Sequence, residues 1–254
     1  MVSGKVVVVI GCRQKKNTAL HNQSINQSIQ NDQFLLYFYP MSDNNPFTPI
    51  EKAIEHFKQN KFVIVMDDES RENEGDLIIA AQNIKTEDMA FLVRHSSGYV
   101  CVPLSNTLAD KLDLPLLKQL KYTAFDNDRH GTAYTITVDV EKGTTTGISA
   151  HDRALTARML ADPSSKSTDF LKPGHICPLR AADGGVLQRR GHTEAAVDLC
   201  KLSGLPPVGV IAELVNDRDG SMMRLDDCVK FGKEHGIPIV TIESIASYLR
   251  AKQE

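Results

Sequence analysis

The chain has 254 residues, of which 41% are hydrophobic and 24% charged, with a formal net charge of −3 and no tryptophan. These figures describe a globular protein of one large or two small domains, and they lack the basic balance of a nucleic-acid binder. No apolar run approaches the ~20 residues of a membrane-spanning helix, and the five cysteines, without a C-x-x-C pair, exclude a disulfide framework and a thiolate zinc site and predict a reducing, cytoplasmic setting.

Residues 1–45 share none of the patterning of the remainder. Asn17–Gln33 is rich in Asn, Gln and Ser, and the segment reads as a disordered N-terminal extension. A mitochondrial presequence is the weaker alternative, since the first forty residues hold one Arg and no amphipathic stripe. Residues 46–254 read as one folded domain. Thr48-Pro49-Ile50-Glu51 has the form of a capping box, and Ile50, Ala53, Ile54 and Phe57 follow at helical spacing. The apolar runs Phe62–Met66 and Leu77–Ala81 flank an acidic loop, the pattern of strand, turn, strand. Thr86 is placed to cap a helix carrying Met89, Leu92 and Val93. Tyr99–Leu104 reads as a strand, Leu108–Leu120 as a helix broken at Pro115, and Ala133–Val140 as an alternating strand. Thr144–Ser149 opens a helix over residues 150–161, its hydroxyls and Gly serving as caps or as an anion cradle. Lys172-Pro173-Gly174-His175 reads as a turn into the strand Ile176–Leu179. Arg189–Glu194 opens a helix over residues 195–202, and Val208–Val215 is an apolar strand containing Glu213. A helix over Leu225–Glu234 stops at Gly236, Pro238–Ile242 is a strand, and Ser244–Lys252 is the last helix. Strands joined in part by turns and in part by helices, with no internal repeat, predict an α+β fold: a single domain with a mixed β-sheet and packed helices.

The chemistry is densest at Asp67–Asp76. Six carboxylates (Asp67, Asp68, Glu69, Glu72, Glu74 and Asp76) and Arg71 hang there between two core strands. Like charges so crowded repel unless a cation sits among them, and carboxylate oxygens suit magnesium or manganese. The plainer alternative is a solvated acidic turn. Arg189, Arg190 and Thr193 crowd a helix start, where free N–H groups and the helix dipole favour an anion. A phosphate-bearing ligand competes there with ordinary surface arginines and a Thr cap. Neither GxxxxGK[ST] nor GxGxxG occurs, so a nucleoside triphosphate or dinucleotide is not indicated. His192, beside that helix start, is either a structural histidine or the imidazole of a mixed carboxylate–histidine metal site. His175 follows a rigid Pro-Gly and suits general acid or base work near pH 7. Glu213 in an apolar strand needs a partner or a functional reason to be there.

Five stretches, DDESRENEGDL, TTTGISAHDR, KPGH, RRGHTEAAVDL and GVIAELVND, resemble in order the successive signatures of the 3,4-dihydroxy-2-butanone 4-phosphate synthases of riboflavin biosynthesis. The resemblance runs from about Pro46 to the C-terminus and makes residues 46–254 the catalytic domain. Departures are small: Lys172 stands where Arg is frequent, Arg190 at a position that is frequently small, and His151 where Ala is familiar.

The resemblance implies a lyase that converts D-ribulose 5-phosphate to L-3,4-dihydroxy-2-butanone 4-phosphate and formate. It implies two Mg2+ or Mn2+ ions per site held by Glu72 and His192, and an acid/base set drawn from Asp76, His175 and Glu213. Arg189 and Thr193 would hold the phosphate, and Arg71 would either neutralise the acidic loop or bind substrate, with Asp76 and Glu213 also contacting it. The implied working unit is a homodimer with a shared active site, in which His175 reaches the acidic loop of its neighbour. Some members are fused to a GTP cyclohydrolase with a three-cysteine zinc site, and this chain, ending at Glu254 without one, is expected to be monofunctional. Two other classes fit the residues alone: another metal-dependent phosphosugar enzyme such as an isomerase, or a non-enzymatic acidic cation-binding module.

Overall fold

Alternation along two neighbouring strands sets the architecture. β1 (Val63–Met66) and β2 (Gly75–Ala80) pair antiparallel, and every residue in both is buried. Val63, Val65, Ile78 and Ala80 join one apolar cluster, while Ile64, Met66, Leu77 and Ile79 join another. A sheet apolar on both faces must be covered on both. α1 (Ile50–Lys58), α5 (His192–Leu202) and α7 (Ile242–Ala251) supply Ala53, Phe57, Ala196, Leu199 and Ile245 to the first cluster. α2 (Thr86–His95), α4 (Ala150–Ala161) and α6 (Leu225–His235) supply Met89, Leu92, Ala157, Leu160 and Phe231 to the second.

This computed structural model describes residues 45–119 and 130–253. The extension expected over residues 1–45 lies outside them, Asn45 apart, as does the end of the helix expected over Leu108–Leu120. The other strands are β3 (Cys101–Leu104), β4 (Val138–Val140), β5 (Phe170–Arg180), β6 (Gly209–Glu213) and β7 (Ile239–Thr241). Among the described residues, seven strands form one sheet in the order β4-β5-β3-β6-β2-β1-β7. β1 with β7 and β3 with β5 run parallel, and the remaining pairs antiparallel. The single domain with a mixed sheet and packed helices is therefore as the sequence predicts.

Several local expectations need correction. Thr48 does not cap α1. Its N–H donates to the Ile239 carbonyl (2.7 Å) and its hydroxyl accepts from the Ile239 N–H (3.3 Å), so the sheet edge takes both groups. Thr86 is the first residue of α2 rather than its cap; the Asp88 carboxylate accepts instead from the Lys85 N–H (2.9 Å). α3 (Asn106–Lys111) ends where Asp113 takes a left-handed φ of 51°, ahead of Pro115. Ala133–Val140 contributes only Val138–Val140 to the sheet, with Tyr134 and Thr135 making isolated bridges. β3 starts at Cys101 because the Tyr99 N–H turns back to the Ser97 hydroxyl (3.2 Å). α5 begins at His192, three residues before the expected Ala195, which brings His192 and Thr193 into its first turn.

Two corrections bear on the site. The 144–149 loop holds no vacant anion cradle. Asp152 fills it, accepting from the N–H groups of Thr145 (3.2 Å) and Gly147 (3.0 Å) and from the Thr145 hydroxyl (2.8 Å), while Ser149 caps α4. Lys172–His175 is a bulge inside β5, not a turn before it. Asp139 pairs with Leu171 but its neighbour Val138 pairs with Ile176, so four residues of β5 are accommodated without a partner of their own. Gly174 is required there, since a Cβ would lie 2.0 Å from the Val138 carbonyl carbon.

Candidate active site

The register of three strands assembles the acids. Asp76 on β2 lies opposite Val65 of β1 on one side and Glu213 of β6 on the other. The period-two alternation puts Asp76 on the same face as Ile78, the face covered by α5. The first residue of α5 is His192, and its Nε2 lies 3.1 Å from the Val65 carbonyl oxygen. A carbonyl only accepts, so Nε2 carries the proton and Nδ1 is turned to the acids, 3.6 Å from Asp76 Oδ1 and 3.7 Å from Glu72 Oε2.

Asp67 folds the acidic loop around itself. Its carboxylate accepts from the N–H groups of Glu72 (3.0 Å) and Glu74 (2.9 Å) and from the Arg71 guanidinium (2.9 Å). Arg71 also bonds Glu72, which favours its role as the loop's internal counter-charge. Asn73 turns the chain with φ 54°, and Arg224, which the sequence reading passed over, donates to the Glu72 carbonyl at 2.7 Å.

Electrostatics separates these groups. Burial pushes the Asp76 carboxyl up to about 7, with Glu213, Glu72 and Glu74 adding repulsion against the pull of His192. The His192 imidazole beside it, joined by the charge of Arg71, draws Glu72 down to about 2 against its burial. Burial opposes charge on His192, but Asp76, Glu72 and Asp67 outweigh it and hold the imidazole up to about 9. Asp67, Glu72 and His192 each offer a ligand atom, all within 4.8 Å of one another. Asp76 Oδ1 is buried with no hydrogen-bond partner among the described residues. One imidazole nitrogen, converging carboxylate oxygens and an unsatisfied buried oxygen fit a hard divalent cation.

The remaining candidates surround this cluster. The Glu213 carboxylate accepts from the Ser97 hydroxyl at 2.7 Å. Thr193 is buried in the first turn of α5. Arg189 is tied to Glu194 of the same turn (2.6 Å) and donates to the His130 carbonyl (3.0 Å) and the Thr132 hydroxyl (3.1 Å). Gly191 makes room for it, since a Cβ there would meet Arg189 Nη1 at 2.2 Å. Arg190 turns the other way, to Glu243 of α7. His175 stands apart. It projects from the β5 bulge and is paired with Asp139. β5 is three strand spacings from β2 in the sheet, about 14 Å. One chain thus brings Glu72, Asp76, His192 and Glu213 together at one end of the sheet and leaves His175 on another strand.

The sequence pattern described as 3,4-dihydroxy-2-butanone 4-phosphate synthase matches residues 51–248. The chain belongs to this synthase family. The synthase of Saccharomyces cerevisiae is 74% identical over 206 residues, which are 80% of this chain and 99% of that protein. The Candida albicans synthase is 64% identical over 205 residues, 81% of this chain and 98% of that one. A solved structure of a 3,4-dihydroxy-2-butanone 4-phosphate synthase in complex with two magnesium ions matches with a TM-score of 0.78 at 48% identity, covering 82% of this chain and 99% of that one. The chain is an enzyme of this synthase class, as the motif resemblance implied. Asp67, Ser97, Asp139, Glu194 and Arg224 are neighbours of the candidate groups that sequence reasoning did not assign. Only Asp67 carried a cue, as the first carboxylate of the acidic run.

Proposed function

We propose that this synthase converts D-ribulose 5-phosphate to L-3,4-dihydroxy-2-butanone 4-phosphate and formate, within riboflavin biosynthesis. The observation that carries the reading is the cluster of buried Asp67 and His192 with half-buried Glu72, beside Asp76, on a chain of this family. Two divalent ions, magnesium or manganese, held by Glu72 and His192 with Asp67 in reach, would supply Lewis-acid stabilisation of negative charge developing on neighbouring substrate oxygens.

The side chains divide the other work. Asp76, with its carboxyl held up to about 7, keeps or yields a proton near neutral pH. Glu213, opposite it in the register, is the second carboxylate of the acid/base set. His175 is the third group, and its contact to Asp139 through Nδ1 leaves Nε2 as the working nitrogen. Thr193 and the N–H groups of the first turn of α5, with Arg189 alongside, bind the substrate phosphate. Arg71 keeps the acidic loop neutral enough to fold.

The working unit we propose is a homodimer whose pocket takes His175 from one copy and the acidic loop from the other. The separation of β5 from β2 supports this, and so does the apolar surface near His175. Ile148 and Leu171 are half exposed, and they adjoin Gly147, which packs on His175, and the β5 bulge. The partner molecule is thus a phosphosugar and a second copy of the chain, in the cytoplasm, with no role for nucleic acid. Among the described residues no helix is long and apolar enough to cross a membrane.

The test is incubation of the purified chain with ribulose 5-phosphate and magnesium, followed by assay for formate. Formate in step with substrate loss is expected. Conversion to an isomeric sugar phosphate without formate would make the protein an isomerase, and binding without turnover a non-enzymatic module.

A further inference from the structure

Glu213 is held at two points by a single residue. The Ser97 N–H donates to the Glu213 carbonyl (2.8 Å) and the Ser97 hydroxyl donates to Glu213 Oε2 (2.7 Å). The hydroxyl has one proton, and its direction is settled locally. Ser97 Oγ accepts from the Tyr99 N–H at 3.2 Å, which leaves the O–H to point at the carboxylate. The Ser96–Tyr99 turn that presents Ser97 is itself built in. Gly98 adopts φ 73°, its N–H donates to the Ser96 hydroxyl (3.1 Å), and Ser96 bridges to Leu214, the residue after Glu213. Beneath the turn, the buried Arg153 of α4 donates to the Gly98 carbonyl at 3.2 Å. A buried guanidinium spent on one main-chain carbonyl is an expensive anchor, and it fixes the loop carrying Ser97.

We infer that Ser97 is a positioning residue for Glu213 in the reaction proposed above, and this inference rests on that reading. Its hydroxyl occupies Oε2 and restricts the rotation of the carboxylate. Among the described residues Oε1 receives no hydrogen bond, and it is the oxygen left for the substrate proton. Ser97 therefore acts through Glu213, not by contact with the reacting atoms. Other side chains cannot substitute freely. A methyl group in place of the hydroxyl keeps the Ser97 N–H bond to the Glu213 carbonyl but leaves the carboxylate to swing and the Tyr99 N–H without its acceptor, whereas a Thr hydroxyl occupies the same place.

The experiment compares Ser97→Ala, Ser97→Thr and Glu213→Asp in the formate assay with magnesium present. Loss of one hydrogen bond to a charged group predicts that Ser97→Ala lowers kcat by about tenfold or more with KM changed less than about twofold. Ser97→Thr should restore most of kcat. Glu213→Asp shortens the arm below the reach of Ser97, so adding Ser97→Ala to it should cost nothing further. Magnesium affinity, read from the rise in Tm on adding the ion, should be the same for wild type and Ser97→Ala. Wild-type kcat in Ser97→Ala, or an equal further loss on the Glu213→Asp background, would overturn the positioning role while leaving the functional reading intact. Absence of formate from the wild type would overturn the functional reading and this inference with it.

Discussion

Asp139 holds His175 by main chain and side chain at once: its Oδ1 accepts from the His175 N–H at 2.9 Å and its Oδ2 lies 2.6 Å from Nδ1. The register shift in β4 makes this possible, because it turns Asp139 to the bulge that carries His175. A carboxylate on Nδ1 fixes both the ring's orientation and its tautomer. Asp139→Asn offers an amide in place of one oxygen and allows the opposite tautomer. If His175 is an acid/base group, kcat should fall by about a hundredfold with little change in Tm. Gly147→Ala should lower kcat by disturbing the same pair, and Tm with it, because the backbone there is left-handed. Gly147 has φ 91°, and a Cβ would meet Asp139 Oδ2 at 2.0 Å and His175 Nδ1 at 2.5 Å. Steady-state kinetics of both variants checks the pair; full activity in either would remove Asp139 from the mechanism.

Magnesium should stabilise the fold as well as support turnover. An ion bound only by the folded chain adds stability, by about 2.7 kcal/mol at a hundred times its dissociation constant. Thermal melts with and without magnesium should show the gain in wild type and its absence in Glu72→Ala, which also loses turnover. Calcium should support turnover poorly, because the smaller ions hold stricter octahedral geometry. Full activity after exhaustive chelation would contradict the metal assignment.

Arg189→Ala should do two things, because the guanidinium is both a proposed phosphate contact and the counter-charge of Glu194. Lost phosphate contact predicts weaker binding by about 1.5–3 kcal/mol, read as a raised KM. Glu194, however, is 1% exposed and would lose its cation. Leaving a buried carboxylate unpaired costs about 3–5 kcal/mol. The variant should therefore melt well below wild type, and Glu194→Gln in the same chain should recover part of the loss without restoring KM. A raised KM with unchanged Tm would show that the ion pair contributes nothing to stability.

His56 predicts an acid-sensitive step in stability away from the site. Burial in α1, with Lys61 adding repulsion, lowers its imidazole from 6.5 to about 4. Between those values the unfolded chain binds a proton that the folded chain refuses. Stability from this group is whole above 6.5 and is lost as pH falls toward 4, by at most about 3 kcal/mol. Urea unfolding at pH 7 and pH 4.5 should show a smaller difference for His56→Gln than for wild type. Equal differences would show that His56 does not contribute to the acid response.

Much of this architecture could be read from residue pattern because burial dictated it. The apolar runs around the acidic loop had to be core strands, and two-sided burial made them continuous. Capping was less legible: Thr48 and Thr86 look like caps, but the first is claimed by Ile239 and the second is displaced by Asp88. Which hydroxyl or carboxylate wins an N–H depends on tertiary neighbours. The same holds at the site. Glu72, Asp76, Glu213 and His192 stood out because charge in or beside an apolar strand is costly. Asp139 and Ser97 did not, since an Asp at a strand end and a Ser before Gly are common surface residues. Only the bulge in β5 and the turn at Gly98 give them partners.

The shared pocket yields a prediction that separates two arrangements of the same residues. His175 lies on β5, and Glu72 follows β1, with β3, β6 and β2 between them in the sheet. If each pocket takes His175 from one copy and Glu72 from the other, Glu72→Ala and His175→Ala chains are each inactive alone. A mixed dimer then carries one pocket with both lesions and one with neither. Random equal mixing makes about half the dimers mixed, each with one good site of two, so about a quarter of wild-type activity should return. If instead both residues serve one chain's own pocket, every pocket in a mixed dimer carries one lesion and no activity returns. Subunit exchange must be shown separately, by native mass spectrometry of differently tagged chains. No recovery after proven exchange would place both residues in one chain's pocket and reject the shared site.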